Sequence, residues 1–194
     1  MKEIISIKRK DFEVLEKIGD HSFKVERHGK IYFLKKYERR DDFDEFVKSV
    51  TRLKITAINI PKLYLFDKKL LISVVDYIEG ENMLASLARE NITNEEIYKQ
   101  LFQAEWFMRR EKLRIDFHPE NFVFTGKKLV YLPYKFTSFE QGYNFVMGDL
   151  RLWFPTKQLS DHLKTKGLSL DKSRCENEYA VNKEIALISV KYYI

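Results

Sequence analysis

The sequence contains very little cysteine. Of its 194 residues only Cys175 carries a thiol, so one chain can form neither a disulfide framework nor a cysteine-based metal site. This composition is typical of a reducing compartment, where a lone cysteine is expected to be a small buried side chain. The scarcity of cysteine therefore excludes a secreted domain that is stabilised by disulfides.

Linkers, repeats and membrane spans are also missing. The seven glycines and four prolines form no Gly/Pro/Ser-rich linker, and no internal repeat is present. No run approaches the roughly 18 apolar residues of a membrane span, and residues 1–17 lack the uninterrupted apolar segment of a signal peptide. These absences predict a soluble, cytoplasmic protein without a membrane span.

Several common functional motifs are absent as well. The chain has no G-x-S-x-G, Walker A or C-x-x-C sequence, so hydrolase, P-loop and redox functions have no support. His21, His28 and His162 have no paired spacing with other metal ligands, so no zinc site is predicted.

The residues that are present predict a basic globular protein. Hydrophobic residues make up 44% of the chain, with 15 Phe and 11 Tyr, which is enough for a core. The net charge of +6 and the pI near 9.2 favour anionic partners such as nucleotide phosphates, nucleic acid or an anionic membrane surface. Basic runs at residues 37–40, 108–114 and 164–174 would follow a nucleic-acid backbone if they shared one face. The alternative is a solvated surface rich in Lys and Glu.

The first 80 residues are patterned as five strands and one helix. Apolar and polar side chains alternate through residues 12–37, with turn signals at Gly19 and Gly29, which predicts a three-stranded antiparallel meander. An apolar stripe within residues 39–56 predicts a helix. Residues 59–83 then predict two more strands with a turn between them.

The second half of the chain is patterned mainly as helices. Thr93 and Glu96 form a capping box, which predicts a helix over about residues 94–112. A β-hairpin follows within residues 122–132, with its turn at Thr125. Further helical segments are predicted at residues 148–154, 159–165 and 176–193.

A compact polar motif, "DFHPEN", lies at residues 116–121 between the long helix and the hairpin. This element order and the D-x-H-P-x-N pattern resemble the protein-kinase-like superfamily over about residues 12–155. The closest branches are the aminoglycoside and choline phosphotransferases, the RIO kinases and the minimal kinase of the tRNA-modifying complex. The alternative is a polar turn that merely joins helix to strand, which is common for Asp, Asn and Pro.

The resemblance implies an α+β, two-lobed protein-kinase-like fold. Residues 1–79 would form a nucleotide-binding lobe with a five-stranded antiparallel sheet and one helix. Residues 80–194 would form a shortened, mostly helical lobe that carries a catalytic-type loop at residues 114–121.

The resemblance also implies roles for the motif residues. Phosphoryl transfer requires an aligned acceptor hydroxyl and neutralised phosphate oxygens. Asp116 would accept or orient the hydroxyl proton, and Asn121 would ligate Mg²⁺ through its amide oxygen. His118 and Pro119 would fix the loop between them.

Other roles are carried over from the resemblance to single positions. Lys35, with Lys36 as the alternative, would contact the α- and β-phosphates of ATP. Glu45, with Asp44 beside it, would pair with that lysine unless it only belongs to a solvated charged face. Asp149 would brace the catalytic loop without taking part in chemistry. The remaining nucleotide contacts would come from Gly19 and Ser22 at the phosphates and from the backbone of Asp76, Tyr77 and Ile78 at the adenine.

Two positions depart from the family pattern. The phosphate loop keeps only Gly19, although Ser22 and Lys24 could still meet a phosphate. Pro133 stands where the family has a Mg²⁺-binding aspartate, and proline has no side-chain oxygen. Three explanations remain: a shifted register that recruits Glu140, a metal-independent nucleotide site, or a pseudokinase. Glu140 is the least favoured because it lies seven residues beyond Pro133.

The sequence therefore predicts one of two functions. The first is an ATP-dependent phosphotransferase that transfers the γ-phosphate to a hydroxyl of a small-molecule or protein acceptor. The second is a pseudokinase that acts as a nucleotide-independent scaffold for a protein or nucleic-acid partner. Asp116, Asn121 and Lys35 favour the phosphotransferase, whereas Pro133 favours the pseudokinase.

Overall fold

The chain folds as a mixed α+β protein. The computed structural model describes residues 3–56, 58–90, 94–175 and 177–192. Two compact units are present, Met1–Leu53 with Ile60–Glu79 and Lys54–Asn59 with Gly80–Ile194. Within the described ranges, every helix is too short or too polar to traverse a lipid bilayer.

The first unit contains an antiparallel sheet and one helix. Its strands are β1 (Ile4–Ile7), β2 (Lys10–Gly19), β3 (Ser22–Arg27), β4 (Lys30–Lys36), β5 (Leu63–Asp67) and β6 (Ile72–Asp76). Helix α1 (Arg40–Leu53) follows β4. The sheet is curled, and its strand order is β1-β2-β3-β4-β6-β5. The meander, the helix and the last two strands are confirmed, but the predicted count of five strands is wrong because the sheet has six.

The additional strand is β1, which pairs with β2 through a very tight turn. Ile5 lies opposite Phe12, and the two-residue turn is formed by Lys8 and Arg9 with φ values of 49° and 62°. Such a turn normally uses Asn-Gly or Asp-Gly, because both residues need positive φ. Lys-Arg gives no such signal in the sequence, which explains why the strand was not predicted.

The sheet buries one face of its strands. Phe12, Val25, Leu34 and Val74 are completely buried in one apolar cluster. Alternation along β4 sends Lys35 to the opposite face from Leu34, on the same side as Tyr37. Helix α1 contacts that side, since the ring of Phe43 lies 5.5 Å from that of Tyr37.

The second unit is mostly helical. Its helices are α2 (Met83–Arg89), α3 (Glu95–Arg110), α4 (Lys157–Thr165) and α5 (Glu178–Tyr192). Its short strands are β7 (Leu113–Arg114), β8 (Phe122–Phe124), β9 (Leu129–Tyr131) and β10 (Thr137–Ser138), which pair as β7 with β10 and β8 with β9. Among the residues that the structure describes, four 3₁₀ turns occupy Lys54–Thr56, Pro119–Asn121, Asp149–Trp153 and Lys172–Arg174.

Most of the elements predicted for this unit are confirmed, with small changes. Helix α2 was not predicted, and residues 149–153 form a 3₁₀ helix. The predicted cap Thr93 lies outside the described residues, whereas the side chain of Asn94 accepts a hydrogen bond from the Glu96 amide at 3.0 Å. Asn94 therefore caps the start of α3. The expectation that Cys175 is buried is wrong, because this residue is exposed.

Candidate functional site

The loop 116–121 is closed by hydrogen bonds between its own residues. It follows β7 and ends in the 3₁₀ turn that leads into β8, with Pro119 at the first position of that turn. The backbone N–H of His118 donates to Asp116 Oδ1 at 3.0 Å, and Asn121 Nδ2 donates to the Asp116 carbonyl at 3.2 Å. The second bond does not use Asn121 Oδ1, which is the atom expected to bind Mg²⁺.

Phe117 anchors this loop in the core of the second unit. Its ring lies 4.8 Å from that of Phe145 and 6.1 Å from that of Phe122, and its carbonyl accepts a 2.9 Å hydrogen bond from Trp153 Nε1. Trp153 is completely buried. The loop therefore alternates between an apolar residue that points inward and polar residues that point outward.

Asp149 lies beside the loop and contacts it through His118. Its Oδ1 is 3.8 Å from His118 Nε2, and its Oδ2 accepts a 2.8 Å hydrogen bond from the Tyr143 hydroxyl. Burial and the negative charge of Asp149 both raise the pKa of Tyr143. Only 12% of the Asp149 side chain is exposed, so its position suits a brace for His118.

A pocket of about 400 Å³ opens in front of the loop. Strand β10 pairs with β7, with Thr137 opposite Arg114, and this pairing brings the segment after the hairpin next to the loop. Just over half of the Asp116 side chain is exposed. The charged and hydrogen-bonding side chains that line the pocket are Arg114, Asp116, His118, Tyr131, Lys135, Thr137 and Glu140.

Tyr131 links the two sides of this pocket. Its hydroxyl donates to the Lys135 carbonyl at 2.9 Å, which fixes the segment that follows the hairpin. Burial raises the pKa of Tyr131, and the negative charge of Asp116 raises it further. Tyr131 is therefore a neutral hydrogen-bond donor at physiological pH.

The acid that the family pattern expects after the hairpin is absent at Pro133. Tyr134, the next residue, has a φ of 53°, which is uncommon for an aromatic side chain and turns the chain sharply at this point. Glu140 nevertheless reaches the pocket lining and lies 3.4 Å from Arg114 Nη1. Glu140 lies at the pocket despite its distance along the chain from Pro133, because β10 returns the chain to β7.

In the first unit, the sheet brings three of the predicted phosphate-contacting residues together. Ser22 lies opposite Gly19 at the end of β2 and opposite Lys35 on β4. Lys35 is exposed, with its Nζ 5.0 Å from the centre of the Tyr37 ring. Lys36 lies on the other face of the strand, with its Nζ 5.1 Å from the centre of the Phe23 ring.

The predicted ion pair between Lys35 and Glu45 is not formed. In the part of the chain that the structure describes, Glu45 is an exposed residue of α1 with no salt bridge to Lys35. Its neighbour Asp44 pairs with Arg40 at 3.3 Å, one helical turn away. The physical reason is that Glu45 lies outside the buried stripe of α1, so its carboxylate remains in solvent.

The backbone of residues 76–78 is only partly available for a ligand. The amide of Asp76 donates to the Lys62 carbonyl at 2.9 Å, and the amide of Tyr77 donates to the Ile31 carbonyl at 3.4 Å. The Asp76 carboxylate pairs with Lys30 at 2.8 Å. Asp76 and Tyr77 would therefore have to contact adenine through their carbonyl oxygens, or their amides would have to give up these hydrogen bonds to Lys62 and Ile31.

Three side chains of the types that bind metal ions also lie close together, and their proximity was not predicted from the sequence. One potential ligand atom from each of His118, Glu120 and His162 lies within 4.8 Å of the others. Burial disfavours the charged form of Glu120, but hydrogen bonds from His162 and Lys166 outweigh it and keep the pKa of Glu120 below its ordinary value. No sequence spacing indicates this cluster, since His162 lies on α4, 42 residues after Glu120.

Acidic neighbours partly neutralise the basic runs. Arg40 pairs with Asp44, Arg109 donates two hydrogen bonds to Glu105 at 2.7 and 3.0 Å, and Lys164 lies 2.9 Å from an Asp161 oxygen. These local pairs favour a solvated charged surface over a continuous track for a nucleic-acid backbone.

Comparisons with known proteins do not place the chain in a family. Neither a scan against protein-family models nor a search of curated proteins gave a match.

Proposed function

We propose that the protein is a kinase-like, ATP-dependent phosphotransferase that transfers the γ-phosphate to an acceptor hydroxyl. The observation that carries the proposal is the arrangement of the loop 116–121. The Asp116 carboxylate faces a pocket while a backbone N–H of its own loop holds it. Asn121 is tied to the same residue, so the two side chains keep a fixed relation.

Asp116 has the position that a base or hydroxyl-orienting group requires. One of its oxygens is held by the His118 amide, and the exposed carboxylate can accept a hydrogen bond from an acceptor hydroxyl in the pocket. Positioning and charge stabilisation supply most of the catalysis in phosphoryl transfer. A fixed carboxylate at the edge of a pocket is well suited to that task.

The chain offers fewer oxygen ligands for Mg²⁺ than the resemblance implies. Asn121 Oδ1 fits the ion, because the amide nitrogen makes the hydrogen bond to the loop. Pro133 does not fit, and Glu140, which lines the pocket together with Asp116, would replace the expected aspartate. Bound Mg²⁺ would supply charge neutralisation at the β- and γ-phosphate oxygens.

Residues of the first unit would contact the nucleotide. We assign Lys35 and Ser22, which are opposite each other in the sheet, to the phosphates, and Gly19 to a close backbone approach. The backbone of residues 76–78 would contact the adenine. The pocket of the second unit would receive the acceptor, and its two cations, Arg114 and Lys135, are balanced there by the two acids Asp116 and Glu140.

The second candidate is a pseudokinase that serves as a binding module, and Pro133 is the observation that favours it. Glu140 is 70% exposed and already engaged by Arg114, so its recruitment to a metal ion would break that pair. Without a charged ligand, the site would lose the alignment on which the rate depends. The protein would then keep the loop only for its structural role.

A thermal-shift titration with ATP, with and without Mg²⁺ or Mn²⁺, separates the two candidates. For the phosphotransferase, we expect a metal-dependent rise in Tm that Asn121→Ala removes and Asp116→Asn keeps, together with ADP formation that Asp116→Asn lowers by about 10²-fold or more. Asp161→Asn, which changes a half-exposed aspartate on α4, is the matched control and should alter neither. An absent nucleotide response in the wild type would favour the binding module.

A further inference from the structure

Three side chains with metal-binding chemistry meet on the second unit, apart from the pair formed by Asp116 and Asn121. His162 Nε2 lies 3.0 and 3.1 Å from the two carboxylate oxygens of Glu120. The rings of His118 and His162 are edge to face, with centroids 5.1 Å apart. We propose that His118, Glu120 and His162 form a binding site for a transition-metal ion of the zinc class.

The distances suit a four-coordinate ion. Zinc binds His nitrogen and carboxylate oxygen at about 2.0–2.2 Å, so two ligand atoms of a tetrahedral site are about 3.4 Å apart. The pair of Glu120 and His162 already approaches this separation, and a ligand atom of His118 lies within 4.8 Å. A rotation of the His118 side chain, which is 36% exposed, would bring the third ligand into place.

The three ligands leave one coordination position for water. Two histidines and one glutamate are a donor set that zinc uses where it keeps an open position. The side chains of Glu120 and His162 are only 19% and 17% exposed, so the ion would bind in a shallow recess. This ligand set differs from the oxygen ligands that Mg²⁺ prefers, and the proposal is independent of the phosphotransferase function.

His118 also has the outer partners that metal-binding histidines usually have. Its Nδ1 lies 3.4 Å from Asp116 Oδ1, and its Nε2 lies 3.8 Å from Asp149 Oδ1. In the orientation that the structure shows, each ring nitrogen lies near an aspartate, and such a neighbour orients a ligating ring and increases its basicity. Bound metal would therefore restrict His118 and, through it, the loop that carries Asp116.

Lys166 occupies the position of a competing cation. Its Nζ lies 3.0 Å from Glu120 Oε1, and its side chain is 46% exposed. A dication bound by Glu120 and two histidines would displace this flexible ammonium group into solvent. Removal of the ammonium should therefore tighten metal binding, which provides a test in the direction of increased affinity.

The test measures the affinity and stoichiometry of Zn²⁺ binding by isothermal titration calorimetry of the full chain, after removal of any affinity tag. A Cys175→Ser background keeps the exposed thiol from binding the ion. We expect one equivalent of Zn²⁺, and His162→Gln should weaken its binding by about tenfold or more. Lys166→Met should strengthen it several-fold.

The matched control is His21→Gln. His21 pairs with Glu38 at 2.9 Å, but no third ligand joins that pair among the described residues. The variant should leave Zn²⁺ affinity unchanged. Equal losses for His21→Gln and His162→Gln, or no binding in the parent protein, would overturn the proposal. If His162→Gln fails to fold, the decision rests on Lys166→Met, for which an unchanged or lower affinity is the contrary result.

Discussion

Two segments of the second unit line the same pocket, and they differ in how firmly they are held. Loop 116–121 is closed by two hydrogen bonds of its own and is anchored from the core by Trp153. Segment 133–140 is attached through the hydrogen bond from Tyr131 to the Lys135 carbonyl, through the short pairing of β10 with β7, and through the Phe139 N–H, which donates to the Lys112 carbonyl at 3.0 Å. Its single carboxylate, Glu140, is largely exposed.

In the proposed phosphotransferase, this difference separates two halves of the site. The half that would position the acceptor hydroxyl is firmly held, whereas in the half that would bind the metal ion Pro133 stands in place of the expected aspartate. Asp116 and Asn121 also hold the turn together, so they have a structural role in addition to the proposed chemical one. Substitutions made in each segment separately therefore test whether loop 116–121 is held more firmly than segment 133–140.

The largest expected effect is a loss of stability in Trp153→Phe. The indole N–H of Trp153 is the buried donor to the Phe117 carbonyl, and phenylalanine would leave that carbonyl unpaired in the core. An unsatisfied buried polar group costs about 1–3 kcal/mol, so the free energy of unfolding should fall by that amount. Urea denaturation monitored by circular dichroism measures it.

Trp106→Phe is the matched control for that change. Trp106 is the other tryptophan of the chain, it is 44% exposed, and its ring lies 5.1 Å from the Arg110 guanidinium. Its replacement should alter the free energy of unfolding by less than about 0.5 kcal/mol. Equal losses in the two variants would show that the loop is not anchored more firmly than the surface.

Elements with a clear apolar period could be predicted from the sequence, whereas short elements and turns without a residue signal could not. Long elements with a clear period, such as α1 and α3, followed from apolar spacing because their buried stripes decide their orientation. Strand β1 was missed because its turn uses Lys8 and Arg9, which carry no turn signal. Helix α2 was missed because seven residues are too few for a distinct period.

The candidate site could be predicted only where its residues are close in sequence. Asp116, His118 and Asn121 fall in one hexapeptide, so their proximity followed from the motif, although the two hydrogen bonds that close the loop did not. Glu140 reaches the pocket through the pairing of β10 with β7, and His162 reaches Glu120 from α4. Such contacts depend on tertiary packing, which no local pattern encodes.

The second prediction concerns the aspartate that the resembled kinase-like families have at the position of Pro133. Pro133→Asp should increase the Mg²⁺-dependent affinity for ATP by about tenfold or more, because the substitution adds a charged oxygen ligand at that position. Calorimetric titration with ATP, with and without Mg²⁺, measures the change.

Glu140→Gln shows whether the wild type already uses another acid. If Glu140 is the native metal ligand, this variant should weaken the Mg²⁺ response of the wild-type protein. The metal-binding role of segment 133–140 would be rejected if Pro133→Asp binds ATP no better than the wild type and Glu140→Gln leaves the Mg²⁺-dependent affinity for ATP unchanged.

The third prediction concerns the anchor of that segment. Tyr131→Phe keeps the buried ring but removes the hydrogen bond to the Lys135 carbonyl, and that carbonyl belongs to an exposed residue within reach of water. The loss in the free energy of unfolding should therefore be about 0.5–1.5 kcal/mol, smaller than for Trp153→Phe. Urea denaturation of the two variants side by side tests the order, and a larger loss for Tyr131→Phe would reverse it.

The smallest expected effect is a change in tyrosine titration. Burial raises the pKa of Tyr131 and of Tyr143, and each is raised further by a different aspartate, Asp116 and Asp149 respectively. Neutralising one aspartate should lower the pKa of its own tyrosine only part of the way towards the ordinary value, because the burial remains. Carbon-13 NMR of labelled tyrosine follows the two residues separately.

The two aspartate variants control each other in this experiment. Asp116→Asn should shift Tyr131 and leave Tyr143 in place, and Asp149→Asn should do the reverse. Because a raised tyrosine pKa favours the neutral form in the folded state, its stabilisation is complete below about pH 10 and declines as the pH rises above it. In each variant the affected tyrosine should therefore cause a smaller decline in stability at alkaline pH. An identical pKa shift of both tyrosines in either variant would mean that the substitution destabilises the whole unit. The expectation that each aspartate acts only on its own tyrosine would then be wrong.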